Sequence, residues 1–401
     1  MKRLQPGIDE LISRHSDWLR GRRIGLVSHV AAVDSLGCPS ATRLARHCGA
    51  GLVCIFSPEH GFFGSAPPGA SLRSRRHPGL GLPVYSLYGE TREPTPAMLS
   101  GIDTIVFDIQ DIGARPYTYV STLRLVLEAA AKAGKRVIVA DRPVPLPCVV
   151  DGPMTEDNCS SFVSLIPSPM AYGMTPGEAA TWLVKTLRLD LHLEVAPMSG
   201  YTRQPGRDPG WPPWIPPSPG IRAWESAMCF PATVCFEGLG AIDHGRATNM
   251  AFQVIGSEWM RGGDVAGYLS GLKLPGVMFY PHNYVPCAVD SGTAMLDGIR
   301  MTITEPGRFR PVRTAVSIIH CLQDLYGRRR VWATGKSRPE FFDKLFGTTS
   351  VREALLDGED GATIAARWDA ALAAFRSARK PCLLYSDTES RGTAHRKRAS
   401  R

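Results

Sequence analysis

Acidic side chains that could act in catalysis follow short apolar stretches at several separate points of the chain. Glu59 comes three residues after the run LVCIF, and Asp108 directly follows TIVF, with Asp111 three residues later. Asp141 directly follows VIVA, and Glu237 directly follows TVCF. A carboxyl group at the end of an apolar run can stay protonated near neutral pH, because desolvation disfavours its charged form. That is the requirement for a general acid.

Two of these segments allow a functional and a structural interpretation. Glu59, within the sequence PEHG, is the first candidate for the acid, and the alternative is a helix cap or an ion pair with an arginine. Asp108 and Asp111 are followed by Arg115, which either neutralises these acids or clamps a substrate carboxylate through two parallel hydrogen bonds. Both roles stay open on the residues alone.

Neither a metal nor a cofactor is predicted. His60 and His244 could suggest a metal, but no carboxylate or histidine lies at ligand spacing from either. The segment after the first predicted strand reads SHVAAVDSLG and lacks the GxGxxG of dinucleotide-binding folds. GxxxxGK[ST], GxSxG and HExxH are also absent from the sequence, which disfavours phosphate-loop, α/β-hydrolase and zinc-protease chemistry.

Continuous apolar strands that alternate with helices must position these side chains. Such strands are typical of a parallel sheet buried on both faces, so the first half is predicted to be a Rossmann-like α/β domain. The predicted strands are Arg23–Val27, Leu52–Phe56, Thr104–Phe107, Val137–Ala140 and Leu193–Ala196, and the predicted helices are Ala41–Cys48, Tyr119–Ala133 and Pro176–Leu187. Four polar clusters follow these strands, and in an open parallel sheet the carboxyl ends of the strands form the ligand crevice.

A second, smaller domain is predicted after a proline-rich connector. Residues 205–219 contain seven prolines in fifteen positions, which excludes a helix or a central strand there. We expect a catalytic domain over 1–225, a smaller α/β (α+β) domain over 226–388 that closes the cleft, and a basic disordered tail over 389–401. The predicted elements of the second half are the strands Thr233–Phe236 and Ile299–Thr304 and the helices Val312–Tyr326 and Ile364–Arg376.

Composition and charge indicate a water-soluble globular protein. Hydrophobic residues make up 44% and charged residues 21% of 401 residues, with a formal net charge of +9. The positive excess is too dispersed for a nucleic-acid surface, and the sequence has no apolar run of 18 residues that could span a membrane. The start MKRLQPGIDELISRH lacks the apolar core of a signal peptide. These features predict a cytoplasmic protein whose ten cysteines are reduced.

Longer motifs resemble the NamZ family of exo-β-N-acetylmuramidases. FSPEHGFFG, LPVYSLYGETREPTPAML, DTIVFDIQDIGARPYTYVSTL and VADRPVPL occur in order in the first half, and WIPPSPGI, FPATVCFEGLG, GRAT, LPGVMFYP and FRPVRTAV follow in the second. The resemblance covers residues 5–385. It implies a glycoside hydrolase that removes N-acetylmuramic acid from the non-reducing end of peptidoglycan fragments, in a cleft between two domains and without a cofactor. Its expected partner is a muropeptide or a disaccharide that contains this sugar.

The resemblance also implies which residues form the site. The expected catalytic residues are Glu59, Asp108 and Glu237, and the expected substrate-binding residues are His60, Gln110, Asp111, Arg115, Tyr117, Tyr119, Asp141, Arg142, His244 and Arg246. The chain departs from the family pattern in two places near the predicted cleft. Ser28-His29 replaces the usual Thr-Asn, and AIDHGRAT replaces the usual SEGRGT, which puts His244 where the family has glutamate.

Cleavage of a glycoside needs an acid on the leaving oxygen and a negative group near the anomeric carbon. We expect Glu59 to be the acid and either Asp108 or Glu237 to be the second group. The lactyl carboxylate of muramic acid requires a cation, and Arg115 is the first candidate and Arg246 the second. Retention, inversion and assistance by the N-acetyl group of the sugar all stay open, because the sequence does not define the carboxylate separation.

Two other functions remain compatible with the sequence. A non-catalytic muropeptide- or amino-sugar-binding protein on the same scaffold is suggested by the altered DHGRAT segment. An enzyme of another class could use the parallel sheet for a nucleotide or acyl substrate, although the absent phosphate-binding fingerprints count against it.

Overall fold

The computed structural model describes residues 3–204, 206–208, 210–286, 294–333 and 335–386. In these ranges the strands are β1 (Ile24–Ser28), β2 (Leu52–Ser57), β3 (Arg75–Arg76), β4 (Pro83–Ser86), β5 (Thr104–Asp108), β6 (Arg136–Ala140), β7 (Asp151–Met154), β8 (Pro169–Ala171), β9 (Leu193–Ala196), β10 (Val254–Ser257), β11 (Val277–Pro281) and β12 (Asp297–Ile303). The helices are α1 (Gly7–Arg14), α2 (Ser40–Cys48), α3 (Pro96–Leu99), α4 (Tyr119–Lys132), α5 (Pro176–Leu187), α6 (Trp224–Thr233), α7 (Gly262–Gly271), α8 (Pro311–Tyr326), α9 (Arg328–Val331), α10 (Pro339–Phe346), α11 (Ser350–Asp357), α12 (Gly361–Ala366) and α13 (Asp369–Arg379). The predicted tail 389–401 lies outside the described residues.

A seven-stranded sheet organises the first half, in the order β3-β4-β2-β1-β5-β6-β9. Every pairing in it is parallel except that of β3 with β4. The predicted α/β fold with a Rossmann-like parallel sheet is therefore confirmed. Five of its strands, β1, β2, β5, β6 and β9, lie within one or two residues of the predicted ranges.

Both faces of this sheet are covered by helices, which explains the unbroken apolar strands. Alternate side chains go to opposite faces. On one face, Leu26 and Val106 are buried in a cluster with side chains of α1 and α2. On the other face, Val27 and Phe107 are buried in a larger cluster with α4 and α5. The carboxyl ends of the strands stay open for ligand, since helices cover only the faces.

The second half is a smaller α+β unit. It contains the three-stranded antiparallel sheet β10-β12-β11, and α7 packs against β11 and β12. Asp151 of the first half accepts hydrogen bonds from the backbone N–H groups of Val312 and Arg313, at 2.7 and 3.1 Å, at the start of α8. This carboxylate at a helix N-terminus fastens the two halves together.

In the second half, one predicted element was wrong and another is interrupted. The predicted strand Thr233–Phe236 is the end of α6 followed by a short 3₁₀ segment, Val234–Gly238. A short apolar run does not distinguish a buried helix from a buried strand, and α6 is buried nearly all round. The predicted helix Ile364–Arg376 is two helices, α12 and α13, which are separated where Trp368 turns into the core.

None of the helices described in the structure combines the length and the hydropathy needed to cross a membrane.

Candidate active site

One cavity of about 550 Å³ opens between the carboxyl edge of the parallel sheet and the second half of the chain. Its charged and polar lining comes from both halves. The first half contributes Glu59, His60, Tyr88, Arg92, Tyr117, Thr118, Ser161 and Ser218, and the second half contributes Glu237, Arg246, Arg338 and Lys344. Two carboxylates and four cations therefore surround one space of the size typical for a small-ligand site.

A tight turn after β2 places Glu59 in this cavity. The backbone N–H of Gly61 donates to the carbonyl oxygen of Pro58 at 3.0 Å. His60 and Gly61 both have positive φ, 68° and 74°. His60 is thus held in the left-handed region that non-glycine residues rarely adopt, and such strain is often found at functional sites.

Both carboxylate oxygens of Glu59 accept hydrogen bonds. The backbone N–H of Gly69 donates to Oε1 at 2.9 Å, and the Thr118 hydroxyl donates to Oε2 at 2.6 Å. Thr118 precedes α4 but does not cap it with its side chain, so its hydroxyl is available to Glu59. Burial and the neighbouring Glu59 charge raise the pKa of Tyr88, which keeps that phenol protonated as a donor beside the carboxylate.

Glu237 enters the cavity from the opposite side, in the 3₁₀ segment after α6. Its Oε1 atom forms a short ion pair with Nη1 of Arg246, and its backbone carbonyl accepts a hydrogen bond from Arg338 at 2.7 Å. Gly238 is required next to it, because a Cβ atom there would lie 2.7–3.0 Å from Phe342 of α10.

The two histidines predicted for the site are neutral near pH 7. Burial lowers the pKa of His60, whose Nδ1 pairs with the carbonyl oxygen of Ala66 at 2.8 Å. Burial and the nearby Arg246 lower the pKa of His244 to about 3. His60 lines the cavity, and Nε2 of His244 lies 3.9 Å from Oε1 of Glu237.

Asp108 is fully buried and does not belong to the cavity lining. Arg142 forms a two-armed ion pair with it, in which Nη2 is 3.0 Å from Oδ2. The same guanidinium donates to the carbonyl oxygen of Val33 and to the Ser40 hydroxyl. This placement supports a structural network under the sheet edge, so a catalytic role for Asp108 stays a prediction without support from the geometry.

Asp141 is also buried beneath the edge. Its carboxylate accepts hydrogen bonds from the Thr175 hydroxyl at 2.7 Å, from the backbone N–H of Gly177 at 2.8 Å and from the Tyr385 hydroxyl at 2.6 Å. It thereby joins β6 to the start of α5 and to the last described segment. Burial, with the nearby Glu178 charge, raises the pKa of Asp141 to about 6.

The segment that contains Gln110 and Asp111 is likewise internal. The Gln110 amide donates to the carbonyl oxygen of Pro143 at 2.8 Å, and its backbone N–H donates to Nε2 of His29 at 3.0 Å. The Tyr172 hydroxyl donates to Oδ2 of Asp111 at 2.7 Å. The structure therefore separates these residues from the cavity that Glu59 and Glu237 share.

Arg115, the first candidate for a substrate anchor, is completely buried and does not line the cavity. Its guanidinium donates to backbone carbonyl oxygens from both halves of the chain, those of Pro153, Ser168, Leu345 and Phe346. Its Nη1 and Nη2 groups are thus occupied by backbone. The placement supports a structural tie, and only the folded chain could supply these carbonyl groups.

The two tyrosines that follow have different positions. Tyr117 lines the cavity, and its ring lies 4.7 Å from that of Tyr119. Tyr119 is behind it, and its hydroxyl donates to the carbonyl oxygen of Pro217 at 2.6 Å. Tyr119 thus fastens the proline-rich connector to the sheet edge.

Several cavity residues were missed by sequence reasoning, namely Tyr88, Arg92, Thr118, Arg338 and Lys344. The guanidinium of Arg92 lies 4.6 Å from the ring of Tyr88 and 4.2 Å from that of Phe162, which fixes its position through cation–π contacts. The YGETREP motif contained a usable signal for Tyr88 and Arg92. Arg338 and Lys344 had none, because α10 reaches the cavity only in the tertiary structure.

No group of three or more His, Cys, Asp or Glu side chains is arranged to hold a metal ion within the described ranges.

Comparison with known proteins gives a consistent result along the whole chain. The family model described as "Exo-beta-N-acetylmuramidase NamZ, N-terminal" matches residues 24–225, and its C-terminal counterpart matches residues 228–385. The peptidoglycan beta-N-acetylmuramidase NamZ of Bacillus subtilis (strain 168) is 35% identical over 384 residues, which is 96% of this chain and 92% of that protein.

Two solved structures from Bacteroides fragilis NCTC 9343, both of DUF1343 family proteins, have the same fold. One has a TM-score of 0.89 and 32% identity, and covers 96% of this chain and 99% of its own. The other has a TM-score of 0.76 and 27% identity, and covers 96% of this chain and 100% of its own.

Proposed function

The chain belongs to the exo-β-N-acetylmuramidase NamZ family, and on this basis we propose that it hydrolyses the terminal N-acetylmuramic acid from peptidoglycan fragments in the cavity between Glu59 and Glu237. The enzyme is a glycosidase. Membership of the family gives the reaction class, and we assign the roles of the individual residues from their positions in the cavity.

The pairing of two carboxylates across one cavity carries this assignment. Glu59 comes from the sheet edge and Glu237 from the second half, and both line the same space. A glycosidic bond breaks through an oxocarbenium-like transition state, which needs a proton donor on one side and negative charge near the anomeric carbon. Of the two candidates for the second group we assign Glu237, because Asp108 is buried in its ion pair with Arg142.

Glu59 has surroundings that suit both steps of a proton cycle. The Thr118 hydroxyl beside its Oε2 atom can donate to the carboxylate or accept from the carboxylic acid, since a hydroxyl rotates freely between these roles. Glu59 can thus deliver a proton to the leaving oxygen and remain hydrogen-bonded afterwards.

The cations of the cavity suit the lactyl carboxylate that distinguishes muramic acid from glucosamine. Arg246, Arg92, Arg338 and Lys344 all line the space. Arg246 takes the role first expected of Arg115, because its guanidinium borders the cavity and Arg115 is enclosed by backbone.

We propose a cytoplasmic role in cell-wall turnover or muropeptide recycling. Support comes from the thiols of Cys54, Cys159, Cys229, Cys235, Cys321 and Cys382, which are buried and free. Unpaired cysteines are typical of a reducing compartment. Cell fractionation with an antibody tests this point, and recovery of the native protein from the culture medium would contradict it.

The reaction is tested with aryl glycosides of N-acetylmuramic acid and of N-acetylglucosamine. We expect release of the aryl group from the muraminide, with much slower release from the glucosaminide. Saturable binding of a muropeptide without turnover would instead support the non-catalytic alternative.

Replacement of the acid gives the first residue-level prediction. Glu59→Gln keeps the shape of the side chain but cannot deliver a proton, so kcat on a natural disaccharide should fall about 10²–10⁴-fold. A substrate with a very good leaving group should be affected less, because it needs little protonation.

Glu90→Gln is the matched control, since Glu90 is an exposed residue outside the cavity lining. Its rate should equal that of the unmodified enzyme. A near-normal rate of Glu59→Gln on the disaccharide would remove Glu59 from the mechanism.

A further inference from the structure

Nitrogen atoms of two side chains converge on a single oxygen of Glu237. Nη1 of Arg246 forms a short ion pair with Oε1, and Nε2 of His244 lies 3.9 Å from the same atom. A carboxylate oxygen can accept from both, but the histidine is just beyond hydrogen-bonding distance. Arg246 therefore makes the contact with Oε1 of Glu237 that His244 could make after a small movement.

Arg246 is only partly committed to this ion pair. Within the described residues, Nη1 is the only atom of its guanidinium with a hydrogen-bond partner, and its side chain is 35% exposed. It borders the cavity and lies over Phe252, with 5.9 Å to the ring centroid. A guanidinium presents five N–H groups, so this one has free donors for an anionic ligand.

His244 has the opposite character. Its side chain is only 12% exposed, and Nε2 is buried without a hydrogen-bond partner in the described structure. A buried polar atom left unsatisfied is costly, so such an atom commonly has a role. Burial lowers the pKa of His244 to about 3, so the ring can supply a hydrogen bond but not a positive charge.

We propose that Arg246 is shared between Glu237 and the anionic ether of the substrate, and that His244 takes over the hydrogen bond to Glu237 Oε1 when Arg246 turns to the substrate. This inference rests on the proposed function and adds a coupling between recognition and chemistry. Arg246 is the specificity-determining residue, and His244 is a positioning residue that acts through Glu237.

The exchange changes what Glu237 can do. While paired with Arg246, its negative charge is compensated. When the substrate carboxylate draws Arg246 away, a neutral donor replaces a cation, and the charge of Glu237 becomes available to the positive charge that develops at the anomeric carbon. A glucosaminide has no carboxylate to draw the arginine away, so discrimination should appear in kcat as well as in KM.

Arg246→Met tests the coupling. Glu237 then permanently lacks its cationic partner and is left with His244, so the glucosaminide kcat should rise about tenfold toward the muraminide value with little change in its KM. For the muraminide, KM should rise at least tenfold because the anchor is lost, and kcat should change little. These changes in kcat and KM correspond to the loss of one charge-assisted hydrogen bond, which alters a rate or binding constant about 10- to 100-fold.

Arg222→Met is the matched control, since Arg222 is exposed and lies outside the lining of this cavity. It removes the same charge and should leave the kinetics of both substrates unchanged. If Arg246→Met lowers both rates in equal proportion, or raises only the muraminide KM while the glucosaminide kcat stays unchanged, the coupling is refuted.

His244 is tested by a pair of variants. His244→Gln retains an N–H donor and should keep most of the muraminide kcat, whereas His244→Phe should lower it about tenfold without changing KM. The glucosaminide rate should be the same in both, because Arg246 still holds Glu237 with that substrate.

A merely structural role of His244 would lower the rates of both substrates together, and that result would overturn the positioning role. Inactivity of the unmodified enzyme on both glycosides would refute the proposed function instead. The two failures are therefore distinguishable.

Discussion

At the scale of single residues, the site depends on a hydroxyl that is not needed by its own helix. Thr118 precedes α4 without capping it, and its side chain serves Glu59 instead. The Glu59 carboxylate also accepts a hydrogen bond from the backbone N–H of Gly69. The carboxyl group is thus oriented by one fixed donor and one hydroxyl that can change its role.

Thr118→Val should therefore impair catalysis more than stability. The change preserves the side-chain shape and removes the hydrogen bond to Oε2 of Glu59, and kcat should fall about tenfold, the worth of one hydrogen bond to a charged group. Steady-state kinetics on a disaccharide substrate measures this effect, with thermal unfolding as the measure of stability.

Thr122→Val is the corresponding control on the same helix, where the hydroxyl donates to the carbonyl oxygen of Thr118 at 3.3 Å. It should keep the full rate. Equal losses in the two variants would mean that α4 is perturbed in general and that the Thr118 hydroxyl has no special role.

At the scale of elements, the cavity keeps its shape because buried arginines tie separate segments together. Arg115 joins β7 and the residue before β8, Ser168, to α10 through backbone carbonyl oxygens. Arg379 of α13 donates to the carbonyl oxygens of Tyr172 and Gly173. Helix α10 also carries Lys344 into the cavity wall, so these ties determine where that wall lies.

Removal of the Arg115 tie should reduce stability without changing selectivity. Arg115→Met leaves several buried carbonyl groups without a donor, and the free energy of unfolding should fall by about 3 kcal/mol or more. The ratio of kcat/KM for muraminide over glucosaminide should stay the same in the fraction that remains folded.

Arg308→Met serves as the comparison, since Arg308 is exposed and pairs with the exposed Glu305 three residues away. Its cost should stay below about 1 kcal/mol. A selective loss of muraminide activity in Arg115→Met would restore the anchor role that the burial of Arg115 argues against.

At the scale of the whole molecule, stability should depend on pH through buried groups that act in opposite directions. Burial lowers the pKa of His29 and His244 to about 3, so the stability they contribute above pH 6.5 is lost as the pH falls toward 3. Burial raises the pKa of Asp111 and Asp141 to about 6, so their contribution is lost as the pH rises from 4 to 6. The two effects should largely cancel between pH 4 and 6.

Asp111→Asn should expose this balance. The amide keeps an acceptor for the Tyr172 hydroxyl but does not titrate. The loss of stability that the two histidines cause on acidification is then offset by Asp141 but no longer by Asp111. On acidification from pH 6 to 4, the variant should lose about 3 kcal/mol more of its unfolding free energy than the unmodified protein. Denaturant titrations at several pH values measure the difference, and parallel curves would show that Asp111 has an ordinary proton affinity.

The sequence alone was sufficient for the sheet and for the first carboxylate of the site. Strands such as Thr104–Asp108 are apolar throughout, and this pattern has few solutions other than a parallel sheet with helices on both faces. The PEHG turn follows directly from such a strand, so Glu59 had to lie at the open edge.

Only the tertiary structure decided which of the other polar residues reach the cavity. Asp108, Asp141 and Arg115 lie at or after strand ends, as Glu59 does, yet each is held by hydrogen bonds inside the protein. Their partners come from distant segments, and no local pattern records such pairings. The opposing wall with Glu237 and Arg246 likewise exists only because the second half folds over the sheet edge, and long-range packing of this kind is not encoded in residue spacing.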